Sequence, residues 1–134
     1  MEDRLSSDNL VDVPSVAEYR RALPICVRAS RTQTATDGRA IIMAMLRANY
    51  RAPDHTVTAG QLAKLVDLTN FGDVNLRYGK FAALLCKQLA RAPKFHVAIL
   101  VTFSGGTWDD GIVRWTMLPQ VARALEELGW VKPA

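Results

Sequence analysis

The sequence predicts an α+β fold that is mainly α, and three observations carry that expectation. Up to Pro93, apolar side chains recur at three- and four-residue spacing in separate segments, the period of helices with one buried face. From Phe95 to Met117 the period falls to two, the spacing of strands, on either side of a Gly-rich turn. A last segment opening on Pro119 returns to the helical period. With 134 residues, 49% hydrophobic and 22% charged, the chain is long enough for one core and ordinary in its balance.

Residues 1–13 are polar and without periodicity, and read as a flexible tail. Ser15 and Glu18 then form a capping box for a helix that is expected to stop at Pro24, because proline lacks the N–H a helix interior needs. Residues 25–36, rich in Arg, Ser and Thr, read as a linker, so that 14–36 is one unit of helix and linker. The domain proper begins at residue 37. Thr36 or Asp37 caps a helix from Gly38 to about Tyr50, with Ile41, Ile42, Met45 and Leu46 at helical spacing. A β-prone Thr56-Val57-Thr58 follows, and Thr58 caps a second helix, Ala59 to about Val66, expected to bury Leu62, Ala63, Leu65 and Val66. After a turn at Asp67–Asn70, the third helix runs from about Phe71 to Ala90, with Asn70 as its cap. Val74, Tyr78, Phe81, Leu85 and Leu89 fall on one stripe of it. Phe95–Phe103 and Ile112–Met117 are the expected strands of a hairpin, and Pro119 to Gly129 a closing helix.

Helix, short strand, helix, turn, helix and hairpin, in that order, is the winged helix-turn-helix arrangement. The chain adds an extra N-terminal helix and a C-terminal helix to it, with residues 37–134 as the winged-helix domain.

The net charge of +4 is unevenly spread. Residues 37–94 carry nine basic side chains (Arg39, Arg47, Arg51, Lys64, Arg77, Lys80, Lys87, Arg91 and Lys94) against four acidic ones. The flanking regions sum to zero or below. Such clustering is the footprint of a phosphate-binding surface. In a helix-turn-helix the second helix of the motif enters the major groove, and its early residues meet base edges. Here the arc opposite the apolar stripe carries Asn75, Leu76, Gly79, Lys80, Ala83, Cys86 and Lys87. Asn75 suits an adenine edge. Gly79 and Ala83 keep the surface low, Lys80 and Lys87 suit phosphates, Arg77 reaches from the border of the stripe, and Lys64 on the preceding helix extends the basic set. A glycine inside a helix costs about 1 kcal/mol relative to alanine and needs a reason. Close packing within the chain and close approach by a ligand are the two on offer, and the lysines favour the ligand.

The hairpin tip points the other way. Trp108, Asp109 and Asp110 put two carboxylates and no base there, which repels phosphate. Trp108 is instead a candidate anchor for a protein partner. The competing expectation is therefore a protein-interaction module of a phage or mobile element that blocks a host defence complex.

Enzymatic chemistry is the least supported class. His55 and His96 have no carboxylate or cysteine at ligand spacing, and no Walker, GxSxG or HNH pattern occurs. No metal or cofactor is expected. Cys26 and Cys86 stand far apart without a CxxC, which speaks against a disulfide or zinc site and for a reducing cytoplasm. Cys86 as a redox handle is a weaker expectation than a buried thiol. No apolar run of about 18 residues and no apolar leader is visible, so no membrane is expected.

Four blocks carry a resemblance: Val16–Leu23, Thr58–Ala63, Asn75-Leu76-Arg77-Tyr78-Gly79-Lys80 after Asn70-Phe71, and Trp115–Pro119 with Ala124–Trp130. Together they resemble the N-terminal module of bacterial HNH-type restriction endonucleases. The related pattern has a basic residue where Leu118 stands. The resemblance implies a DNA recognition module, for particular or modified DNA, without the nuclease half. It marks Asn75, Tyr78, Gly79 and Lys80, of which Tyr78 falls on the core stripe and has a structural role.

Overall fold

The computed structural model describes residues 12–30, 38–67, 71–105 and 113–133. It is an α+β fold, mainly helical. Five α-helices lie among these residues: α1 (Val16–Ala29), α2 (Gly38–Arg51), α3 (Ala59–Leu65), α4 (Phe71–Leu89) and α5 (Pro119–Glu127). Three short strands, β1 (Thr56–Thr58), β2 (Val101–Ser104) and β3 (Arg114–Met117), form one antiparallel sheet in the order β1-β3-β2.

Helix α1 begins where the capping box places it: the Ser15 amide donates to Glu18 Oε1 at 3.0 Å, and the Glu18 amide to Ser15 Oγ at 3.2 Å. It does not stop at Pro24. It continues to Ala29, so the expected linker starts later than residue 25, and residues 31–36 lie outside the described ones. Proline inside a helix forfeits one backbone bond and costs about 3 kcal/mol. The extra turn offsets this by burying Cys26 and Val27 in line with Tyr19, Ala22 and Leu23, at about 1.5–3 kcal/mol for a full-sized apolar side chain. Its end is closed by Ser30, whose Oγ donates to the Cys26 carbonyl, and by Arg39, whose Nε donates to the Arg28 carbonyl. The buried face of α1 lies against α4 and α5, so this helix belongs to the same core as the rest.

A second correction concerns Phe95–Phe103. Only Val101–Ser104 is strand; His96–Ile99 is a turn of 3-10 helix. Every side chain from Val97 to Val101 is buried. A strand turns alternate side chains away from a core, and a tight turn lets consecutive ones face it. The Ile99 carbonyl of this turn accepts the Tyr19 hydroxyl at 2.7 Å, which ties it to α1.

In the sheet, Val101 faces Met117 and Phe103 faces Trp115, all four buried, while Thr102–Thr116 and Ser104–Arg114 form the alternating pairs. On its other edge β3 takes β1, with Val57 opposite Trp115. Beneath this register lies the one buried polar side chain of the core among the described residues, Asn49. Its Nδ2 donates to the carbonyls of His55 (3.0 Å) and Trp115 (3.4 Å), and its Oδ1 accepts the Tyr78 hydroxyl at 3.1 Å. The Tyr78 ring lies 5.2 Å from that of Trp115. One network thus fixes α2, β3 and α4 together, and Tyr78 has the structural role expected of it.

Candidate nucleic-acid interface

Helix α4 is anchored along one face and at its C-terminus. Val74, Tyr78, Phe81, Leu85 and Leu89 are buried as one stripe, joined by Ala82 and Cys86. Its C-terminus is closed by Ala90, whose positive φ of 55° lets the Arg91 amide reach back to the Cys86 carbonyl at 3.0 Å. What remains outside is a ridge. Leu76 (56% exposed), Lys80, Ala83 and Lys87 cluster within about 60° of one another around the axis, at about 100° per residue.

The predicted residues do not all share that ridge. Lys80 and Lys87 are exposed on it, with Ala83 half-buried between them. Gly79 is half-buried on its shoulder. A Cβ built there meets no other atom within 4 Å among the described residues, apart from the helix's own turn. Internal packing therefore gives no reason for this glycine. Asn75 and Arg77 are both half-buried and lie on opposite flanks, about 110° and about 90° from the centre of the ridge, so they cannot read the same edge. The Asn75 Oδ1 is enclosed and has no hydrogen-bond partner among the described residues.

Cys86 is corrected from the outward arc to the core: it is 4% exposed, its Sγ donates to the His96 carbonyl, and burial pushes its thiol up to about 11. Leu65, expected to be buried, is 64% exposed, because α3 turns it toward a groove instead of the core. Lys64 is also not part of the α4 ridge. It lines that same groove, between α2 and α3, whose lining contains no residue of α4. Arg47 and Arg51 stand with it there, two residues the charge count contained but the helix-turn-helix reading passed over. Their i, i+4 spacing near the end of one helix was the available signal.

The basic surplus of residues 37–94 thus divides. Arg91 is held by Asp12 (3.0 Å) and Glu18 (3.6 Å), and Arg39 caps α1. Arg77, Lys80 and Lys87 on α4, and Arg51 and Lys64 in the groove, form no ion pair among the described residues.

Trp108, Asp109 and Asp110 lie outside the described residues, as does the capping residue Asn70. His55 is used within the fold, its Nδ1 against the Tyr50 carbonyl and its ring on that of Tyr50, whereas His96 is exposed. Among the described residues no group of three His, Cys, Asp or Glu side chains converges on a metal position, and no helix is long and apolar enough to cross a membrane.

Compared with family models, with curated proteins and with solved structures, the chain matches none.

Proposed function

We propose that the chain is a winged helix-turn-helix module that binds double-stranded DNA, with α3 and α4 as the helix-turn-helix and the outer ridge of α4 in the major groove. The order α2-β1-α3-α4-β2-β3 and a sheet ordered β1-β3-β2 support the fold assignment. The observation that carries the functional reading is Gly79. A mid-helix glycine with open space over it, on the shoulder of the ridge next to Ala83 and near cations that form no ion pair among the described residues, costs stability for no internal gain. A groove wall or phosphate backbone approaching within van der Waals distance is the use that accounts for it.

Lys80 and Lys87 then neutralise phosphates, and Gly79 and Ala83 admit the groove wall. Asn75 starts with an unmatched acceptor, and a turn about its side-chain bonds exchanges that position for a base edge. Arg77 serves the opposite flank. The resemblance of the Asn75–Lys80 block to restriction-enzyme recognition modules favours duplex DNA as the ligand and a defence-related role.

Fluorescence anisotropy with a labelled random duplex at two salt concentrations tests this. Wild-type affinity should fall steeply as salt rises, and the Lys80→Ala/Lys87→Ala variant should bind more weakly with a salt slope lower by about 2, one per lost phosphate contact. Equal affinity for the folded double variant and the wild type refutes α4 as the contact.

A further inference from the structure

We propose that the groove between α2 and α3 binds a small amphiphilic organic anion, an apolar body bearing one carboxylate, sulfonate or phosphate. The groove is open to solvent and offers about 820 Å³, within the range of sites for drug-sized molecules. Its apolar surface comes from side chains such as Ala48, Val57 and Leu65, the last of them 64% exposed with no covering group among the described residues. Three cations, Arg47, Arg51 and Lys64, stand on its walls, and among the described residues no carboxylate is in its lining; Asp54 and Asp67, close to lining residues in sequence, are not part of it.

The geometry holds the charges ready. Arg47 and Arg51 are one helical turn apart on α2, and Lys64 reaches in from α3 across the groove. Arg47 is positioned by its Nε, which donates to the Trp130 carbonyl at 3.0 Å, and its two terminal nitrogens make no hydrogen bond among the described residues. Arg51 and Lys64 make no ion pair there either. A guanidinium offers an acid group paired, charge-assisted hydrogen bonds. Phosphates of a nucleic-acid backbone would satisfy the cations but leave the apolar floor wet. An uncharged ligand would satisfy the floor and leave the cations unmatched. An amphiphilic anion satisfies both.

The inference stands on the groove alone and does not depend on DNA binding by α4. The probe is 8-anilinonaphthalene-1-sulfonate, an aryl sulfonate whose fluorescence reports an apolar surrounding, titrated into the folded full chain. One saturable site is expected, with the neutral N-phenyl-1-naphthylamine bound at least about ten-fold more weakly. The Arg51→Gln/Lys64→Gln variant, which leaves the Arg47 tie in place, should lose at least about ten-fold in dye affinity and keep its melting temperature. Lys80→Ala/Lys87→Ala should bind dye as wild type does. Should the groove double variant not fold, Ala48→Met, which fills the floor without touching a charge, should abolish the site. Absence of a saturable site overturns the proposal, as does unchanged dye binding in the groove variants. Displacement of the dye by a short duplex, equally in wild type and in Lys80→Ala/Lys87→Ala, also overturns it and gives the groove to nucleic acid.

Discussion

Replacing Gly79 separates what this position does for the fold from what it does for a ligand. In Gly79→Ala the added Cβ meets no atom beyond the helix's own turn within 4 Å among the described residues, and the backbone is helical, so nothing among them must move to admit it. Removing a glycine's backbone entropy from a helix interior is worth about 1 kcal/mol. At about 2.1 cal/mol/K per residue, a chain of 134 residues has an unfolding entropy near 0.28 kcal/mol/K, so this gain raises the melting temperature by about 3–4 °C. Differential scanning calorimetry at fixed pH and salt measures it. Gly79→Leu should keep most of that gain, since leucine is nearly as good a helix former, while raising a branched side chain above the low surface beside Lys80. Its affinity for duplex DNA should fall by more than about ten-fold, a loss consistent with one steric clash in a packed interface. The two readouts must therefore move in opposite directions. A melting temperature lowered by Gly79→Ala refutes the open space over the helix. A Gly79→Leu variant that is stable and binds DNA within two-fold of wild type refutes the close approach.

Three further outcomes follow from the interior. Tyr78→Phe leaves the Asn49 Oδ1 enclosed without its donor, so the urea midpoint should drop by the equivalent of about 1–3 kcal/mol at unchanged m; an unaltered midpoint would mean the network adds nothing. Glu18 is held below the ordinary carboxylate range first by its backbone hydrogen bond to Ser15; desolvation opposes this, and the Arg91 charge and the Ser15 hydroxyl add smaller lowering effects. A lowered folded-state value stabilises above the unfolded value and is lost as pH falls through the folded one. Glu18→Gln should accordingly melt below wild type at pH 7, and the difference should close below about pH 4 in a melting series. Cys26 and Cys86 are buried, and desolvation pushes both thiols up to about 11, so a colorimetric thiol reagent at pH 8 should label neither until denaturant is added, when both react.

Much of the helical content was legible because its signals are local. A capping box needs only Ser15 and Glu18, three residues apart, and Thr58 caps α3 through the same short reach to Gln61. Pro119 sits at the start of α5 and Gly129, at φ 74°, just past its end, as their backbone preferences dictate. The buried stripe of α4 was readable from spacing alone, because a helix of 19 residues repeats its pattern several times. The lysines of the ridge came with it, as the complement of the stripe.

The errors have the opposite origin. Pro24 is a local stop signal overruled by distant burial of Cys26 and Val27, and the apolar run after Phe95 has two backbone solutions that only the neighbouring α4 and α1 distinguish. Cys86 lies about 20° around the axis from Asn75, so the wheel could not tell a flank from the core; only the packing against its neighbours does.

The sequence by itself determined the capped starts of α1 and α3, the start of α5 at Pro119, the inward face of α4 and the surplus of positive charge between residues 37 and 94. Tertiary structure alone decided where that charge is spent. It ties Arg91 and Arg39 to α1, leaves Lys80 and Lys87 on the α4 ridge, and gathers Arg47, Arg51 and Lys64 around a groove with an apolar floor. The physical reason is range: propensity and periodicity act over a few residues along the chain, whereas the meeting of α2 with α3, or of α1 with Arg91, depends on contacts between segments far apart in it.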